Sequence, residues 1–111
     1  MTATSVASTQ IIVTNPANGK ELGRVSRADS TAVDRAVRTA AKAFTTWSET
    51  PVVERARRFF KLQVLLEENI DELATLVANE NGKMFADARG EVRRGIECVE
   101  FACGMPSLLM G

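Results

Sequence analysis

The side chain best placed for chemistry is Arg94, within the run Glu91 to Phe101. Phe85, Ala88, Val92, Ile96, Val99 and Cys103 recur at spacings of three and four, which predicts a helix with one buried stripe. A helix advances about 100° per residue, so the adjacent arginines face different sides. Arg93 falls with Glu97 and Glu100 on a fully charged face and is expected to be an ordinary solvated charge. Arg94 falls on a strip with Cys98 and Phe101, flanked by Asp87 and Glu91, where partial desolvation is expected. An arginine in such a place usually lays its stem on the apolar patch with its head in water. It could equally pair with Glu91 one turn back or Asp87 two turns back.

The chain contains no histidine. That removes Ser-His and Cys-His nucleophile pairs, an imidazole general base and any His-containing zinc site. Cys98 and Cys103 are the only thiols. On one helix they point roughly 140° apart, so they are expected not to bridge, and to behave as small buried hydrophobes. Neither has a lysine or a helix N-terminus nearby to stabilise a thiolate. Two thiols without a histidine also fall short of a zinc site, so no residue is expected to bind a metal.

The elements that would carry Arg94 follow from patterning. Residues 1–9 are expected to form a flexible arm. Gln10–Thr14 is short and β-branched, and predicts a strand. Asn15-Pro16-Ala17-Asn18-Gly19 is turn chemistry, with proline fixing φ and Asn-Gly accepting the left-handed conformation. Residues 20–26 form the return strand, with Leu22 and Val25 out of strict alternation and Gly23 marking a bulge. No helix follows the Gly19-Lys20 turn, so it is not an anion cradle.

Asp29-Ser30 supplies an N-cap for a helix whose stripe is Val33, Ala36, Val37, Ala40, Ala41, Phe44 and Trp47. Thr50-Pro51 is a second start signal, with threonine at the N-cap and proline at the first helical position. Ala56, Phe59, Phe60, Leu62, Val64, Leu65 and Leu66 then spread a broad apolar sector, and Glu54–Arg58 forms an i,i+4 surface pair. Asn69 with Glu72 suggests a capping box opening a third helix, which Asn81-Gly82 stops with a left-handed cap. Gly104-Met105-Pro106 ends or kinks the fourth. The expectation is a β-hairpin followed by four amphipathic helices.

Lysine plus arginine equals aspartate plus glutamate, 14 each, so nothing suggests nucleic acid or an anionic membrane as a partner. No apolar run approaches a membrane span and no basic n-region opens the chain, which makes a cytoplasmic protein the expectation. The hairpin needs a sheet to join, and residues 107–111 close on an apolar run, so the chain is expected to be part of something larger.

The segments NPANGKELGRV, DRAVRTAAKAF up to Trp47, TPVVERARRFF and LLEENIDELATLVANENGK resemble the N-terminal segment of aldehyde dehydrogenases, from Ile11 to Gly111. Within that family, RGIECVEFACG followed by PSLLMG resembles the CoA-acylating methylmalonate-semialdehyde dehydrogenases. The resemblance implies an α/β fold in which residues 10–111 begin the NAD-binding domain of a homo-oligomer. It implies NAD-dependent oxidation of malonate or methylmalonate semialdehyde, a step of valine catabolism in the methylmalonate case, with transfer of the acyl group to coenzyme A and loss of carbon dioxide. The long helix would line the substrate tunnel, with Arg94 of the R-G-I motif holding the substrate carboxylate through two parallel, permanently charged donors. Gly90 would keep the tunnel open, and Phe101 is expected in the core. Family members continue for several hundred residues, with nucleophile, base, oxyanion asparagine and Rossmann strands in the later part. The chain alone is therefore expected to bind neither cofactor, to be inactive and to be marginally stable. Two alternatives stay open: a family member acting on a neutral aldehyde, and a stand-alone helical interaction module.

Overall fold

The computed structural model describes residues 10–111; the expected arm over residues 1–9 lies outside the described residues. Strands β1 (Gln10–Thr14) and β2 (Glu21–Ser26) form an antiparallel hairpin. The turn is held from within: the Asn15 side chain accepts from the Ala17 amide at 2.9 Å, and the Gly19 amide donates to the Asn15 carbonyl at 2.7 Å. Gly19 has a φ of 72°, the left-handed value that Asn-Gly suggests. Val13 pairs with Gly23 but Thr14 pairs with Glu21, so Leu22 is the extra, bulged residue. The irregularity expected at Gly23 therefore sits one residue earlier.

Four helices and a short fifth follow: α1 (Ser30–Trp47), α2 (Val52–Glu68), α3 (Ile70–Asn81), α4 (Phe85–Cys103) and α5 (Met105–Leu108). Asp29 caps α1 as expected, its carboxylate accepting from the Ala32 amide at 2.7 Å. Two predicted start signals do not form. Pro51 rather than Thr50 occupies the N-cap of α2, and the Thr50 hydroxyl turns back to donate to the Thr46 carbonyl. Asn69 makes no cap bond to α3, because its amide donates to the Leu65 carbonyl at the end of α2. Only Asn69 separates the two helices, so it closes one rather than opening the other. Glu54 pairs with Arg57, not Arg58.

The packed part is α2, α3 and α4, with α5 against the start of α2. Its buried apolar residues are Ala56, Ile70, Ala74, Ala88, Ile96 and Cys103. Ala88, Ile96 and Cys103 lie on the stripe read from the sequence, with Val92 and Val99 half-buried between them and Phe85 largely exposed. Ala74 and Ala88 are fully buried where α3 meets α4, and their small size lets the helices approach closely. Helix α1 has its predicted stripe but buries none of it among the described residues, with Phe44 65% exposed.

Gly82 joins the hairpin to this bundle. It caps α3 at φ 66°, and a Cβ there would lie 2.9 Å from Pro16 Cγ and 3.0 Å from the Ala17 amide nitrogen. Gly82→Ala therefore adds a steric clash to the left-handed penalty. We expect it to lower stability by about 1–3 kcal/mol, measured as a shift in urea midpoint; an unchanged midpoint would show that the turn does not rest on the cap.

Candidate functional site

Helix α4 carries every candidate, and its two flanks differ. One flank meets α2 and α3 through a row of polar links. Gln63 donates to Glu100 at 3.3 Å, Arg93 forks both guanidinium nitrogens onto the Glu67 carboxylate, and Arg89 donates to Asp71 at 2.7 Å. The partners ascend α2 into α3 while their mates descend α4, as antiparallel helices require. The hydrogen bonds from Arg93 hold the Glu67 carboxyl below its usual carboxylate range, and Glu67 in turn holds the guanidinium above its own. The lowered carboxyl pKa means that the pair contributes above the ordinary glutamate range and lets go as pH falls through the lowered value.

The other flank carries Arg94. It sits about 100° from Arg93 and nearly opposite the buried stripe, in a shallow hollow lined by Arg94, Glu97, Cys98 and Phe101. Among the described residues Arg94 makes no ion pair or hydrogen bond; Glu91, its candidate partner, is engaged by Lys83 at 2.6 Å. Phe101 is 70% exposed, and a Cβ at Gly90 would meet nothing within 4 Å.

This corrects the wheel in two respects. Arg93, expected to be solvated, is half-buried and tied to α2, because it borders the buried stripe where Glu67 arrives. Arg94, expected to be partly desolvated, is exposed, because no described element covers its side of α4. Its grouping with Cys98 and Phe101 stands, but Phe101 is not core, and Cys98 is exposed while Cys103 is buried. Both thiols are free, as their directions implied. The Glu67–Arg93 pair was missed because its partners lie 26 residues apart. The available signal was an arginine at the edge of a buried stripe facing a helix with acidic residues at its end.

No group of three or more metal-ligating side chains gathers among the described residues, and none of their helices is long and apolar enough to cross a membrane.

The family model described as "Aldehyde dehydrogenase family" matches residues 3–111. Malonate-semialdehyde dehydrogenase of Bacillus pumilus (strain SAFR-032) is 58% identical over 99 residues, covering 89% of this chain and 20% of that protein. Malonate-semialdehyde dehydrogenase 3 of Geobacillus kaustophilus is 50% identical over 107 residues, covering 96% of this chain and 22% of that protein. Among solved structures, methylmalonate-semialdehyde dehydrogenase of Oceanimonas doudoroffii superposes with a TM-score of 0.87 at 43% identity, over 93% of this chain and 21% of that one. A Sinorhizobium meliloti 1021 protein designated a methylmalonate-semialdehyde dehydrogenase, in complex with NAD, gives 0.85 at 37% identity over 93% of this chain and 21% of that one. The chain thus spans about one-fifth of the length of these relatives. With the family match running through the hairpin and every helix described above, the chain belongs to the aldehyde dehydrogenase family.

Proposed function

We propose that this chain is the N-terminal segment of a malonate- or methylmalonate-semialdehyde dehydrogenase, and that its contribution to the site is Arg94. The observation that carries this is a guanidinium with no protein partner among the described residues, beside the apolar surface of Phe101 and Cys98. A semialdehyde of this class has the same duality: a carboxylate at one end and a short carbon chain bearing the aldehyde. A forked guanidinium binds such a carboxylate through two parallel charge-assisted bonds. Glu97 lines the same hollow and opposes an anion, which favours a substrate held over the Phe101 and Cys98 side.

The overall reaction we infer oxidises the semialdehyde with NAD, passes the acyl group to coenzyme A and releases carbon dioxide. We assign none of this segment's residues to NAD or coenzyme A; its two strands form a hairpin, whereas dinucleotides bind at the carboxyl edge of a parallel sheet. Residues 10–111 would then open the NAD-binding domain of a cytoplasmic homo-oligomer, expectations that rest on the resemblance.

A hybrid tests the proposal: the matching segment of the Bacillus pumilus enzyme is replaced by this chain. We expect kcat/KM for malonate semialdehyde within about tenfold of the parent enzyme, with NADH and an acyl-CoA as products. The chain by itself should give none. Turnover by the isolated chain, or a folded hybrid that turns over propanal but not the semialdehyde, would refute the assignment.

A further inference from the structure

Arg93 and Arg94 are neighbours with separate tasks. The apolar contacts of α4 press it against α2 and α3 through small side chains and one large one: Ala74 and Ala88 are fully buried, and Ile96 is the one large side chain fully buried among the described residues. The polar row adds a directional restraint on the roll of α4 about its own axis, and its middle link is bidentate. A roll of about 20° carries a group some 6 Å from a helix axis through ~2 Å. Misplacement of a binding group by ~1 Å can cost on the order of 100-fold in rate, less where a flexible side chain absorbs part of the shift.

We propose that Glu67 is a positioning residue for Arg94: its forked bond to Arg93 fixes the roll of α4 and so aims the Arg94 guanidinium away from the bundle, toward the carboxylate of the substrate. The inference rests on the reading of Arg94 given above and adds a residue on another helix to it. Two further links, Gln63–Glu100 and Arg89–Asp71, flank the pair and tolerate some rotation, since each is a single hydrogen bond. Occupying Arg93 has a second effect. It leaves Arg94 as the one of the two adjacent cations without a carboxylate partner among the described residues, which favours a single register of the substrate on the helix.

The test uses Glu67→Gln, the charge-swapped pair Glu67→Arg with Arg93→Glu, and Arg94→Met, all in the hybrid enzyme. Malonate semialdehyde is compared with propanal, which has the same number of carbons and no carboxylate. Glu67→Gln should raise KM for the semialdehyde about fivefold with kcat within about twofold, and leave kcat/KM for propanal within about twofold. The swapped pair should return KM to within about twofold of the unsubstituted hybrid. An unchanged KM in Glu67→Gln, an equal loss on propanal, or a swap that restores nothing overturns the inference while the reading of Arg94 stands, provided Arg94→Met raises KM for the semialdehyde. If Arg94→Met leaves that KM unchanged, or the hybrid is inactive, the reading and the inference fall together.

Discussion

Arg94→Met in the hybrid enzyme is expected to lower kcat/KM for malonate semialdehyde by roughly 30- to 1,000-fold, and for propanal by no more than about threefold. Truncating one partner of a hydrogen-bonded charge pair costs about 2–4 kcal/mol, which is that range of fold-change. Methionine keeps length and apolar stem while removing all five donors, so the contacts to Phe101 and Cys98 are largely retained. Arg94→Lys should fall between, because an ammonium keeps the charge but loses the second parallel bond. The same substitution at Arg93 has a different meaning: its guanidinium already has a carboxylate partner, Glu67, so its removal breaks a link between α4 and α2. Steady-state kinetics with both aldehydes decide the matter. Equal losses on the two substrates would make Arg94 a structural residue and remove it from the site.

Legibility from the sequence divided along a physical line. Local signals came through: the Asn15 to Gly19 turn, the Asp29 cap and the left-handed Gly82 each depend on a few adjacent residues and stand as expected. Competition between neighbouring helices did not. Asn69 has one side chain and two helix ends to serve, and the choice between capping α3 and closing α2 is set by the tightness of the junction, which a capping pattern does not encode.

The site was half legible for a related reason. A helical wheel orders residues around one axis, so it grouped Arg94 with Cys98 and Phe101 correctly and placed Arg93 elsewhere. It carries no information about which face another element approaches. Glu67 approaches Arg93, and no described element approaches Arg94, so the two expected environments were exchanged. The same gap explains α1: an apolar stripe predicts a buried face, yet burial needs a second surface, and none of the described residues supplies one for Val37 or Phe44. Helix formation follows the periodicity of one segment; burial follows the whole assembly.

Ile96→Ala is expected to be the most damaging single truncation in the 111-residue chain, costing about 2–5 kcal/mol. Ile96 is 1% exposed and is the largest side chain fully enclosed among the described residues, on the stripe that α4 turns toward α2 and α3. Its removal leaves a void at a site that admits no solvent in the folded chain, and the cost depends on how far the surrounding side chains can collapse into it. Even complete native proteins are stable by only about 5–15 kcal/mol, and this chain alone is expected to be marginal, so this one loss is a large share of the total. Phe44→Ala removes a larger side chain but one that is 65% exposed, and should cost no more than about 0.5 kcal/mol in the same chain. Urea unfolding followed by helical circular dichroism separates the two. A midpoint that falls steeply for Ile96→Ala and hardly at all for Phe44→Ala locates the stability in the α2–α4 bundle; comparable losses would mean that α1 is packed after all. The comparison also bears on Arg94, since the bundle that encloses Ile96 is the support from which Arg94 projects.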